Sequence, residues 1–331
     1  MAIVWIIVFI ISLAVLVKSA GWLLSGAERI GLAIGLSPFI VGVTIVGLGT
    51  SLPELISSFI AVFEGVPEIV VANAVGSNIA NILLVVGLST VIGRRLVVTK
   101  NLIDLDLPLL AIGTTLMIGV AWDREVTFLE SVILLITYGV YFAYTILHRD
   151  DVKTEEDTEL AVFIKKNSAY ISKVSKKIAE IPRIALRDFG LLAAGAIGLF
   201  LGAKYLVESV INLSDMLNIG AGVIAITAIA IGTSLPELIV SVRAAVQRKS
   251  EIALGNIFGS NLFNMLVVIG LPGLFTTLPL DEKTFSIGLP VMAAATLLFV
   301  VSGISRRIHM WEGAFYLILY VFFIGKLFNL L

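Results

Sequence analysis

The chain of 331 residues has no cysteine, only two histidines, and charged side chains at just 14% of its positions. Zero cysteines exclude disulfides, thiol catalysis and thiolate metal sites. His148 and His309 sit beside arginines at predicted helix ends, which leaves no histidine cluster for a metal and no convincing histidine base. A soluble domain carries about a quarter of its residues as charges, so the charge needed to clothe an aqueous surface is missing. The 23 basic and 24 acidic side chains sum to minus 1, and no basic stripe with interleaved aromatics is present, which argues against nucleic-acid binding. What the chain has instead is apolarity: 58% hydrophobic residues and a mean hydropathy of +1.05. Its solvent is lipid.

A bilayer core about 30 Å thick takes roughly 20 apolar residues per helix. Apolar runs bounded by charge, glycine or proline predict an all-α integral membrane protein with ten spans, near 2 to 28, 37 to 63, 68 to 92, 102 to 121, 126 to 147, 188 to 214, 220 to 246, 251 to 274, 284 to 303 and 310 to 330. The opening MAIVWIIVFIISLAVLVK reaches its first charge at Lys18, so it lacks the basic start of a cleavable signal and reads as the first span. Arg29, Arg94, Arg95, Lys100, the nine basic residues from Arg149 to Arg187, Arg248, Lys249, Arg306 and Arg307 fall on one side of such a layout; the other side receives little beyond Arg124 and Lys283. Because lysine and arginine accumulate in cytoplasmic loops, both termini are expected outside the cell membrane.

Residues 148 to 187 are the one stretch of soluble composition, acidic first and basic later. They are expected to form a cytoplasmic linker between a first half, 1 to 147, and a second, 188 to 331. Ile164, Ile171, Val174, Ile178 and Ile181 recur there at near-helical intervals with lysines between, as in a helix lying on an anionic leaflet.

The halves repeat each other. GLGTSLPELI at 47 to 56 returns as AIGTSLPELI at 230 to 239, an offset of 183 residues. Continued without a gap, the offset aligns AVGSNIANILLVVGL (74 to 88) with IFGSNLFNMLVVIGL (257 to 271). With five spans per half, the two copies enter the membrane from opposite faces, the inverted-topology pattern of secondary transporters.

Polar residues gather at the repeated motifs. Thr50, Ser51 and Glu54, and likewise Thr233, Ser234 and Glu237, lie three or four residues apart and share a helix face, as do Ser77 with Asn81 and Ser260 with Asn264. Acids inside apolar spans face an interior pathway or a compensating cation. No buried base is placed for them: Lys18 can snorkel to an interface, and Lys204, one turn from Glu208, can pair with it. Pro53 and Pro236 cannot donate to the carbonyls of Gly49 and Gly232, so the second helix of each half is expected to break there. Hydroxyl, amide, carboxylate and carbonyl oxygens without sulfur or imidazole suit hard cations such as calcium or sodium. Asn78 and Asn261, one residue off the site face, read as structural, Asp104 and Asp106 as interfacial, and Met117, Met265 and Met292 as core.

GTSLPEL followed by GSN-x-x-N, present twice, resembles the alpha-repeat signature of the sodium/calcium exchanger family, prokaryotic type, within the cation/calcium exchanger superfamily. The resemblance implies ten spans in two inverted five-helix repeats with the second and third helices broken. It implies ion ligands at Thr50, Ser51, Glu54, Ser77 and Asn81, at Thr233, Ser234, Glu237 and Ser260, and at the carbonyls of Gly47 and Ala230. It implies also that the long first and sixth helices slide across the other eight. Many prokaryotic and potassium-dependent relatives carry aspartate where this chain has Asn264; the neutral amide leaves the site at minus 2 and favours potassium-independent exchange. The cargo expected is therefore calcium and sodium, with the bilayer as the other partner, no cofactor, and no obligatory protein partner evident. Proton/calcium antiport is the alternative within the superfamily; it is disfavoured because all four third-span asparagines are neutral. A cation channel is the alternative outside it, and an enzyme has no nucleophile with a base to support it.

Overall fold

The computed structural model describes residues 2–33, 49–98, 106–147 and 185–331. Gly47, Asp104, His148 and nearly all of the expected linker therefore lie outside the described residues. The first half contains α1 (Ala2–Ala33), α2 (Leu52–Phe63), α3 (Glu68–Gly93), α4 (Leu107–Val120) and α5 (Phe128–Leu147). The second contains α6 (Leu186–Leu217), α7 (Ala221–Thr233), α8 (Leu235–Val246), α9 (Ile252–Gly273), α10 (Thr284–Ile304) and α11 (Met310–Leu327). Among the described residues six helices are long and apolar enough to cross a membrane, or seven if the bent pair α7 and α8 is one span.

Burial separates a centre from a periphery. The most apolar window of α3 is 94% buried and that of α9 is 78% buried, against 22% for α1 and 33% for α6. Helix α3 is thus a core element, and α1 turns Ile3, Val4, Ile7, Ile10 and Ile11 outward, as a lipid-facing helix does. Helices α1 and α6 pack closely on each other. A Cβ at Gly195 would stand 2.6 Å from the Leu23 backbone nitrogen, so only glycine permits the approach. At one end Arg29 pairs with the buried Asp188 at 3.5 Å, and Asp188 also accepts from the Ala185 backbone N–H at 2.9 Å.

The second-half break falls where proline predicts it. Helices α7 and α8 meet at Ser234 with a bend of 44°, because Pro236 leaves the ladder without a donor. Ser234 (φ −81°, ψ 6°) and its repeat mate Ser51 (φ −92°, ψ 9°) share the same non-helical backbone, a region where site residues often sit. The third helices need a correction. They are not broken; α3 and α9 continue through π-helical turns at Ala80–Val86 and Asn264–Val268. Neither turn contains a proline, so the helix widens without losing its ladder, and a π-turn re-aims the side chains around it. A third π-turn occupies Ala225–Ile229 in α7.

Two short antiparallel ribbons tie the halves together. Strand β1 (Arg95–Val97) pairs with β4 (Arg307–His309), and β2 (Glu125–Val126) pairs with β3 (Leu278–Pro279). The offset of 183 residues carries β1 onto β3 and β2 onto β4, so each ribbon is the repeat image of the other.

Two lesser expectations resolve as follows. Met117, Met265 and Met292 are buried core. Lys204 and Glu208 do not pair: Ala203, Leu206, Val207 and Val210 form the buried face of α6, and Lys204 projects outward. Among the described residues the salt bridges are Arg29–Asp188, Arg124–Glu282 and His309–Glu312. His309 caps α11 jointly with Glu312.

Candidate functional site

Two helix hairpins carry the polar residues. In each, helices joined by a tight turn run antiparallel, so residues equidistant from the turn stand level with each other. Glu54 of α2 is level with Ser77 of α3, and Glu237 of α8 with Ser260 of α9. Proline at the second helical position starts α2 and α8 and places each glutamate in the first turn, just past the non-helical serine.

Thr50, Ser51, Glu54, Ser77, Asn81, Thr233, Ser234, Glu237, Ser260 and Asn264 are all buried, and both glutamates are 0% exposed. The hydrogen bonds cross between repeats. Ser51 Oγ donates to Glu237 Oε1 at 3.0 Å, and Ser234 Oγ donates to Glu54 Oε1 at 3.4 Å. Glu237 Oε1 also accepts from Ser260 Oγ at 3.1 Å. Thr233 Oγ1 donates to the Ile229 carbonyl of its own helix at 3.1 Å, and the Ala230 carbonyl accepts the Ser234 N–H at 3.1 Å. That carbonyl keeps a second lone pair.

Several polar atoms remain without a partner among the described residues: Glu54 Oε2, Glu237 Oε2, Ser77 Oγ, Asn81 Oδ1, and both amide atoms of Asn264. Buried polar groups are nearly always hydrogen-bonded, and the price of leaving so many open is steep. Five of these atoms are oxygens, two of them from the carboxylates, and together they have the chemistry of a hard-cation site. Among the described residues no three acids, histidines or cysteines cluster as a metal site; the donor set here is mixed, with hydroxyls and amides around the two acids.

Four further residues adjoin the site: Asn78 and Asn261, and, outside the repeated motifs, Asn256 and Ser241. Asn261, read as structural, positions a site residue: its Oδ1 accepts from Asn81 Nδ2 at 3.3 Å, and its carbonyl accepts from Asn78 Nδ2 at 3.2 Å. Asn78 and Asn261 are repeat mates, so this contact lies where the two halves meet on themselves. Asn256, one turn before Ser260, accepts from Thr50 Oγ1 at 3.4 Å; its Nδ2 donates to Ser241 Oγ at 3.1 Å and to the Glu237 carbonyl at 3.4 Å. Both Asn256 and Ser241 are identical to their repeat mates, Asn73 and Ser58, which was the legible signal.

Comparisons with known proteins bear on the family of the chain. A family model described as sodium/calcium exchanger protein matches residues 4–147 and 188–328. The sodium/calcium exchanger MaX1 of Methanosarcina acetivorans is 32% identical over 97% of this chain and 98% of its own length. An uncharacterized membrane protein of Methanocaldococcus jannaschii is 32% identical over 96% of each chain. The solved structure of the sodium-calcium exchanger NCX_Mj superimposes with a TM-score of 0.65 at 29% identity, covering 98% of this chain and 99% of the other. With a fold of buried helical hairpins, a repeated GTSLPEL motif on both, and these relatives along nearly its whole length, the chain belongs to the sodium/calcium exchanger family of multi-pass membrane transporters.

Proposed function

We propose that the protein is a secondary active antiporter that exchanges sodium for calcium across the cell membrane, independent of potassium and electrogenic. Ten spans in two inverted five-helix halves, termini outside and residues 148 to 187 in the cytoplasm, frame the site in this reading. The cargo ligands are Thr50, Ser51, Glu54, Ser77 and Asn81 with Thr233, Ser234, Glu237, Ser260 and Asn264, joined by the carbonyls of Gly47 and Ala230.

The observation that carries the reading is the crossed pair of serine–glutamate hydrogen bonds, Ser51 to Glu237 and Ser234 to Glu54. They bring two carboxylates from opposite halves into one buried site with no cation of the protein's own among the described residues to neutralise them. One calcium or two sodium ions would neutralise both, so the cargoes compete for the same charge. A third sodium leaves the loaded site at plus 1, and exchange of three sodium ions for one calcium then moves one net charge. Inward movement of that charge gains about 2.3 kcal/mol per 100 mV of inside-negative potential. Voltage and sodium gradient together favour calcium export.

Calcium uptake into proteoliposomes under separately imposed sodium, proton and potassium gradients tests this. Uptake driven by outward-directed sodium alone is the expected result. Uptake driven by a proton gradient and indifferent to sodium would replace the reading with proton/calcium antiport. Failure of trapped unlabelled calcium to accelerate labelled uptake would indicate a channel.

A further inference from the structure

Beyond the ligand level, each hairpin has a second polar rung one turn closer to its connecting turn. In the second hairpin that rung is Ser241 on α8 and Asn256 on α9; in the first it is Ser58 on α2 and Asn73 on α3. The residue types are the same in both, and the positions are related by the 183-residue offset. Their bonding differs. Asn256 binds Ser241 at 3.1 Å, the Glu237 carbonyl at 3.4 Å and Thr50 of the opposite half at 3.4 Å. Asn73 Oδ1, Asn73 Nδ2 and Ser58 Oγ have no partner among the described residues, though Asn73 is 1% exposed and Ser58 is 0% exposed. The ligand level shows the same contrast, since Ser260 reaches Glu237 at 3.1 Å while Ser77 Oγ is unpartnered.

A buried amide and hydroxyl left open are unfavourable until water or a cation enters. The made rung, by contrast, staples α8 to α9 and reaches across to Thr50, just ahead of α2. We propose that Asn256 and Asn73 are alternating latches, each closing its own end of the ion pathway when it bonds the serine of its hairpin, Ser241 or Ser58. In this structure the Asn256 latch is made and the Asn73 latch is not, so the α2–α3 end is the one poised to admit water and cargo. The α2–α3 turn carries Glu64, with Glu68 opening α3, and the α8–α9 turn carries Arg248 and Lys249. By the charge rule the poised end is extracellular and the latched end cytoplasmic. Both asparagines are positioning residues: Asn256 acts through the backbone of Glu237 and the hydroxyl of Thr50. The inference rests on the antiporter reading for the direction of the two ends, but its test does not need transport.

The absence of cysteine supplies a clean background for labelling. Ser58→Cys is probed with a membrane-impermeant maleimide from outside, and Ser241→Cys from the cytoplasmic face of inverted vesicles. Removing one latch shifts the population toward the state open at that latch, so labelling falls at the opposite rung. Asn256→Ala is expected to slow labelling of Ser58→Cys about fivefold, and Asn73→Ala to slow labelling of Ser241→Cys by a similar factor, as loss of one buried hydrogen bond implies. A packing role alone would loosen the protein and speed labelling at both rungs. Speeding at both, or no change at either in protein that elutes as the parent does, overturns the proposal. If Asn256→Ala does not fold, Asn256→Asp, which keeps the size and removes the amide donor, makes the same measurement. Sodium-driven calcium flux in the parent is recorded in parallel: absent flux with the expected labelling pattern sinks the antiporter reading alone, and normal flux with unaltered labelling sinks the latches alone.

Discussion

Ser51, on the first repeat, donates its hydroxyl to the carboxylate of Glu237, on the second, at 3.0 Å. The acid of one half is thereby oriented by the hydroxyl of the other, and Ser234 returns the arrangement to Glu54. Neither half holds a finished site. A change at one serine should be felt at the carboxylate across the interface.

Glu54→Gln and Glu237→Gln each remove half of the site's formal charge while keeping shape and an acceptor oxygen. Calcium flux is expected to fall by about 100-fold or more, as loss of a buried charge partner does. Thermal unfolding in detergent should stay near that of the parent, because the variants bury an amide in place of a carboxylate. Either variant transporting calcium at the parental rate would rule out its glutamate as a ligand.

The serines should be milder and unequal. Ser51→Ala removes a 3.0 Å bond and Ser234→Ala a 3.4 Å bond, so the first is expected to weaken calcium half-saturation about threefold to tenfold and the second less. Calcium titrations of sodium-driven flux give the order. The reverse order would mean that Glu54 depends more on its partner serine than Glu237 does.

Asn264 gives an expectation about potassium. Both amide atoms are unpartnered among the described residues, and the group has no charge with which to demand an additional monovalent cation. Replacing potassium with choline on both faces at fixed voltage should leave sodium-driven calcium flux unchanged. Flux lost in choline would remove the role given to Asn264.

The α1–α6 contact supplies a stability test. Gly195→Ala places a Cβ against the Leu23 main chain and is expected to destabilise by about 1–3 kcal/mol, the usual cost of overpacking. Gly190, on the same helix, has nothing within 4 Å of a built Cβ, so Gly190→Ala should stabilise by up to about 1 kcal/mol through helix propensity. Unfolding midpoints that move the same way for both would show that the close approach of α1 and α6 does not limit stability.

The internal repeat makes much of this legible in the sequence. Glu54 and Glu237 stand out because a carboxylate in an apolar span is costly, and the proline beside each marks the elbow that the Ser51 and Ser234 backbones adopt. Other features were hidden for physical reasons. The π-turns beginning at Ala80 and Asn264 are tertiary adjustments that no proline or glycine in the turn announces. Asn256 lies outside the repeated motifs, and its importance rests on contacts with Ser241 on the neighbouring helix and with Thr50 of the other half. Lys204 and Glu208 had suitable spacing for a pair, but spacing does not tell which side of α6 packs inward.

The two ribbons bear on how the chain is made. Strands β1 and β2 both belong to the first half, and both find their mates, β4 and β3, only in the second. During synthesis the first half enters the membrane with two unpaired strand edges, and these close only when nearly all of the chain has emerged. Unpaired edges are templates for any strand of suitable sequence, and β1 and β2 are the repeat images of β3 and β4. Two copies of the first half inserted in opposite orientations would therefore join edge to edge, β1 of one with β2 of the other, and build from a single gene half the closure that the intact chain makes within itself.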